Sequence, residues 1–227
     1  WPQNMWVTGE PYWHGIQLDE AALPVLLVDL LCRETHPDVD TVRGFWPMVR
    51  RAAGFIVRNG PATEQDRWEE DSGFAPFTIA VEIAALLVAA DLADDCGEHL
   101  VATYLRETAD AWNECIESWI YVRGTELARQ VGVDGYYVRI GQPETADAAS
   151  PARGFVPIKN RPWEQPGVPA RQCISPDALA LVRFGLRAAD ERQHLGAVLG
   201  LAHDFESPIG LEGPADPVEP RAGDGSG

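Results

Sequence analysis

One stretch constrains the fold of this chain more than any other: residues 78–92, "TIAVEIAALLVAADL". It is apolar on nearly every side of a helical wheel. A helix with no polar face has to be enclosed, as a buried helix or as an inner helix with few exposed positions. It is not a continuous run of about eighteen apolar residues, so no transmembrane span is expected. Its neighbours differ from it. From about Thr41 to Arg58, Val42, Trp46, Val49, Ala53 and Ile56 fall on one face, and Asn59-Gly60-Pro61 stops the pattern. From about Glu98 to Trp119 the pattern is again amphipathic. From about Asp19 to Arg33 it is apolar at helical spacing behind an acidic first turn, with Pro24 expected to delay or bend the start.

Helices that alternate between strongly apolar and amphipathic suit an inner and an outer layer. Two more are expected, from "SPDALALVRFGLRAAD" and more weakly over 191–202. Ser175 is a cap there and Pro176 suits the first helical position. Residues 121–172 are a long irregular excursion with room for a short hairpin, and long ordered excursions are often functional. About six helices and minor strands make the chain all-α. Residues 205–227, rich in Pro, Gly and acids and lacking core residues, are expected to be disordered. The start at Trp1, dense in aromatics, reads like the inside of a longer domain.

Composition excludes some functions. The net charge of -17 leaves no basic footprint for nucleic acid and disfavours polyanionic substrates and anionic membranes. A neutral ligand is compatible with it. Eight tryptophans fill cores, and their flat faces also stack on the apolar faces of sugar rings. Cys32, Cys96, Cys115 and Cys173 form no CxxC and no zinc spacing, and the compartment cannot be read from them.

Two acidic runs stand out. "DRWEEDSGF", Asp66 to Phe74, puts Glu69 beside Glu70 and behind Trp68. Hydrolysis of a glycosidic bond needs a carboxylic acid that keeps its proton near neutral pH and a second carboxylate across the sugar. A like-charge neighbour and an aromatic wall both raise a carboxyl pKa. A charged turn before a helix explains the same residues and is the commoner case. "DDCGE", with Asp94, Asp95 and Glu98, has the look of a magnesium–diphosphate motif. It reads equally as a solvated turn at a helix stop, and no second magnesium motif accompanies it. The five histidines form no HExxH and no close pair.

Five ordered blocks add to these readings. "WPQNMWVTGEPYWHGIQLDEAALPVLL" and "RWEEDSGFAPFTIAVEIAALLVAADLA" resemble glycoside hydrolase family 15, the glucoamylase and glucodextranase family, in its bacterial branch. "GVDGYYVRI", "IKNRP" and "ISPDALALVRFGLRAAD" continue the likeness in the same order, over about residues 1–190. The resemblance implies an (α/α)6 toroid, of which this chain is about half the ring. It implies inverting exo-hydrolysis of α-glucosidic bonds, releasing glucose from a neutral α-glucan with no cofactor and no metal. It makes Glu69 the general acid, Glu70 a substrate contact that tunes it, and Asp66 a supporting acid. It makes Asp19 a ligand of sugar hydroxyls, with Trp68 and Trp13 in the aromatic wall. The family's general base is a Glu far downstream, and none of Glu206, Glu212 or Glu219 has its context. The expectation is therefore a partial catalytic domain over residues 1–204, truncated at both ends and lacking its base. The alternative is a non-catalytic carbohydrate-binding remnant on the same scaffold.

Overall fold

The computed structural model describes residues 5–12, 15–142, 154–158, 162, 164 and 167–188. Four long helices carry the fold: α1 (Leu18–Thr35), α2 (Val39–Asn59), α3 (Pro76–Asp95) and α4 (His99–Ile120). A short α5 (Glu126–Val131) and α6 (Leu179–Arg183) follow. α3 packs against α1, α2, α4 and α6. It buries residues around its whole circumference, from Ile79 and Ile83 to Val81, Leu86 and Ala90. α1, α3 and α6 thus form one row, backed by the amphipathic α2 and α4, as the alternation in the sequence implies.

By length and composition α3 could cross a membrane, contrary to the reading of its run as too interrupted to do so. The helices around it bury most of that window, as the core helix of a folded domain requires. α1 also departs from expectation, running straight through Pro24 from Leu18. Its acidic first turn, Asp19 and Glu20, complements the helix dipole, and burial of Leu18, Ala22 and Val25 outweighs the one backbone hydrogen bond Pro24 removes. α2 starts as its Asp38 cap dictates, the carboxylate accepting from the Thr41 N–H at 2.8 Å.

The helix expected from Ser175 to Asp190 is shorter. Ser175 Oγ does accept from the Asp177 N–H, and Pro176 opens a single 3₁₀ turn, Pro176–Ala178, that leads into α6. Gly185 then takes φ +76°, and the Leu186 N–H closes back on the Leu181 carbonyl. Glycine adopts that left-handed conformation at no steric cost, so it ends the helix. Arg187 is clamped onto Glu117 and Asn113 of α4. The helix expected over 191–202 and the 205–227 tail lie outside the described residues.

The excursion contains two antiparallel strand pairs. β1 (Tyr121–Arg123) meets β2 (Gly135–Tyr137) with Val122 opposite Tyr136. β3 (Phe155–Pro157) meets β4 (Gly167–Pro169) with Val156 opposite Val168. The chain beyond β2 matters most for function. Val138 bridges Ile174 and Gly141 bridges Phe74, while Thr63 and Gly73 close the 60–75 loop on itself. One extended strip, 135–141, therefore lies between that loop and the segment leading to α6. On α1, Leu23, Leu27 and Leu30 are exposed, and with Leu87 and Phe184 they line an apolar groove of about 1170 Å³.

Candidate functional site

The acidic loop is built around Asp66. Its side chain is buried, and Oδ1 accepts from the N–H groups of Trp68 (3.2 Å) and Glu70 (3.0 Å). Oδ2 takes Nε and Nη2 of Arg139 at 3.1 and 2.7 Å. The Asp66 backbone closes the turn, donating to the Asp71 carbonyl and accepting from the Glu69 N–H. Arg139 comes from the strip beyond β2, where its own N–H donates to the Cys173 carbonyl. Its Nη2 also pairs with Glu70 Oε2 at 2.7 Å. Burial opposes the Arg139 charge, but the carboxylates of Asp66 and Glu70 outweigh it and hold the guanidinium pKa above its usual value. Two of the loop's carboxylates are thereby committed to one arginine.

Glu69 is different. Its side chain is exposed, and its backbone sits at φ +58°, a conformation uncommon for any residue but glycine. Residues held there cluster at active sites and ligand clamps. Trp68 beside it is itself 54 % exposed, and its acidic neighbour Glu70 is paired with Arg139.

Trp68 donates Nε1–H to Asp177 Oδ2 at 2.9 Å, and Arg67 Nη1 lies 3.4 Å from Asp177 Oδ1. The Arg67 guanidinium lies 4.4 Å from the centre of the Phe77 ring. Asp19 sits 4 % exposed in the first turn of α1, accepting from Thr78 Oγ1 at 3.2 Å and Gln17 Nε2 at 3.3 Å. Burial raises its pKa, partly offset by those hydrogen bonds and by the Arg67 charge. Glu20 beside it is raised by burial, then by the charges of Asp19 and Glu69. The first turn of α1 thus lies within electrostatic reach of the loop. Thr63 Oγ1 ties the two together, accepting from the Leu18 N–H.

The structure brings Asp66, Trp68, Glu69 and Glu70 onto one braced loop with Asp19 nearby. Trp13 lies outside the described residues. Sequence reasoning missed Arg139, Arg67 and Asp177. The signal for Arg139 was present: three acids this close need a compensating cation, and "GVDGYYVRI" offers one. Asp177 was legible only as part of a helix start.

"DDCGE" resolves as a helix joint. Asp94 receives His99 and Arg106, and Glu98 receives the Trp46 indole at 2.8 Å and Arg50 at 3.4 Å. Those partners occupy the oxygens a magnesium ion would use, and no group of three metal-binding side chains converges among the described residues. That argues against the diphosphate reading.

Comparison with known proteins agrees with this architecture. Residues 2–180 match the model of the family described as "Glycosyl hydrolases family 15". A glucoamylase of Clostridium sp. (strain G0005) is 32 % identical over 219 residues, covering 95 % of this chain and 28 % of that protein. A crystal structure of a bacterial glucoamylase complexed with acarbose is similar at TM-score 0.73 and 33 % identity, over 87 % of this chain and 26 % of that one. The chain therefore belongs to glycosyl hydrolase family 15, and its double row of helices is part of an (α/α)6 toroid. It spans little more than a quarter of the length of either relative.

Proposed function

We propose that this chain is the acid-bearing part of a glucoamylase-type catalytic domain that hydrolyses α-glucosidic bonds of neutral glucans with inversion and releases glucose. The observation that carries this is Glu69: an exposed carboxyl in a left-handed backbone conformation, on a loop braced by the pairing of Asp66 and Glu70 with Arg139. Glu69 donates its proton to the glycosidic oxygen as the bond to the anomeric carbon breaks. A water attacks that carbon from the opposite face, and a second carboxylate takes the water's proton. Asp66 and Glu70 are poor candidates for that base, because taking a proton would break their pairing with Arg139. The base comes from a segment this chain does not contain. Glu70 and Asp66 act by holding the loop, Trp68 forms part of the sugar-facing wall, and Asp19 shapes the rim from α1. The acarbose bound by the structural relative supports a glucan-like ligand.

The chain alone is expected to show little or no turnover of maltose or isomaltose. Turnover at a full enzyme's rate by the purified chain would remove the missing-base assignment. In a longer chain that supplies the base, Glu69→Gln is expected to lower the rate about 10²–10⁴-fold with the fold retained. A loss of less than about tenfold would show that Glu69 is not the acid. A second reading is carbohydrate binding without catalysis, for which the exposed, anchored Trp68 indole is a sufficient stacking surface. Calorimetric titration with maltose beside the activity assay separates the two.

A further inference from the structure

Trp68 and Asp177 are 109 positions apart in sequence, yet one hydrogen bond joins them across the site. An indole offers a ligand two features, an N–H and a flat face. Here the N–H is taken by Asp177 Oδ2, and Trp68 as a whole remains 54 % exposed. The Asp177 side chain is only 8 % exposed, and its backbone is set by the Ser175 cap and the 3₁₀ turn before α6. Its other oxygen faces Arg67, whose guanidinium lies 5.7 Å from the centre of the Trp68 ring. Asp177 therefore anchors Trp68 from the interior, with Arg67 over one side of the indole and about half of the residue still exposed. A tryptophan fixed before binding does not lose its side-chain freedom on stacking, so more of the stacking energy appears as affinity.

We infer that Asp177 is a positioning residue for carbohydrate recognition: it pins the Trp68 indole so that its exposed face receives a glucose ring next to Glu69. This rests on the α-glucoside reading of the site given above. Asp177 need not touch the sugar, and its effect passes through the indole N–H.

The chain labelled with ¹⁵N at its tryptophan indoles tests both parts, with the Trp68 signal assigned by its loss in Trp68→Phe. The Trp68 indole N–H is expected to exchange with solvent at least about tenfold more slowly than a free indole, because a hydrogen bond must open first. Asp177→Ala should abolish that protection. Asp177→Asn, whose amide oxygen still accepts, should keep most of it. In a maltose titration, Asp177→Ala should weaken binding about tenfold when Trp68 is present and less than about twofold in the Trp68→Phe background. Trp68→Phe keeps an aromatic face, though a smaller one, and loses the N–H. It sits at an exposed position, so it carries the same tenfold expectation if Asp177→Ala does not fold. Unchanged indole exchange in Asp177→Ala would overturn the positioning role. An equal loss of affinity in both backgrounds would show that Asp177 acts by some other route. A protected indole in a chain that does not bind maltose would keep the anchor but overturn the glucoside reading, and with it the recognition role.

Discussion

The two acidic runs, residues 66–71 and 94–98, are both rich in carboxylates and have opposite fates. In the second, every acid that makes an ion pair meets cations at the surface. Asp94 faces His99 and Arg106 beside the α3–α4 turn, and these partners hold its pKa below the usual carboxylate value. In the first, one nearly buried arginine from 73 positions away collects Asp66 and Glu70, and the turn they form presents Glu69 outward. A similar density of negative charge thus builds a joint in one place and a candidate acid in the other. The difference lies in how deeply the cation sits: Arg50 and Arg106 are exposed and brace a helix joint, whereas the nearly buried Arg139 can impose a loop geometry that no local preference would choose.

The comparison is most directly broken at Arg139. Arg139→Met should destabilise the chain by about 3 kcal/mol or more, because it leaves the buried Asp66 carboxylate uncompensated. Urea unfolding at pH 7 measures this. A loss below about 1 kcal/mol, the range of an exposed ion pair, would show that the arginine does not organise the loop.

A smaller effect is expected at Glu82, a carboxyl buried inside α3. Among the described residues neither of its oxygens has a hydrogen-bond partner and no cation offsets it, and Asp19 is the charge nearest in effect. Burial first, and Asp19 second, raise its pKa well above the ordinary value of 4.5. A carboxyl whose pKa is higher in the folded chain keeps its proton on folding. Its stability contribution is therefore full below the unfolded value, near 4.5, and falls as pH rises toward the folded one. The slope from one such group reaches about 1.4 kcal/mol per pH unit. Asp19, also raised, adds a contribution of the same sign. Glu82→Gln should remove the Glu82 share, so that urea midpoints between pH 5 and 8 flatten and the variant is the more stable at pH 8. An unchanged slope would mean that Glu82 is ionised in the folded chain.

The least effect is expected in the second acidic run. Asp94→Asn should shift the melting temperature by no more than about 2 °C, and the shift should vanish in 1 M salt. A larger, salt-insensitive change would make this joint structural in its own right.

Much of the fold was legible because its helices announce themselves by periodicity. α2, α3 and α4 lie within three residues of their expected bounds, since each has a strong apolar pattern and a stop such as Gly60 or Gly97. α1 and α6 were less legible for opposite reasons. Pro24 overstated its power to break a helix whose buried face already holds it, and Gly185 was passed over inside an apolar run that reads as continuous. The site was half legible. Glu69, Glu70, Asp66 and Trp68 are neighbours in sequence, so a motif could carry them. Arg139 and Asp177 are neighbours only in space.

The sequence by itself determined that an all-round apolar helix must be enclosed, that amphipathic helices must back it, and that Glu69 has carboxylates and an aromatic as neighbours. Those are matters of local periodicity and composition, which act over a few residues. Only the tertiary structure decided which acids are neutralised, which one faces outward, and how Trp68 is held. Charge compensation and side-chain anchoring depend on distance in space. The bridges Phe74–Gly141 and Val138–Ile174 are what bring residues 66, 139 and 177 together.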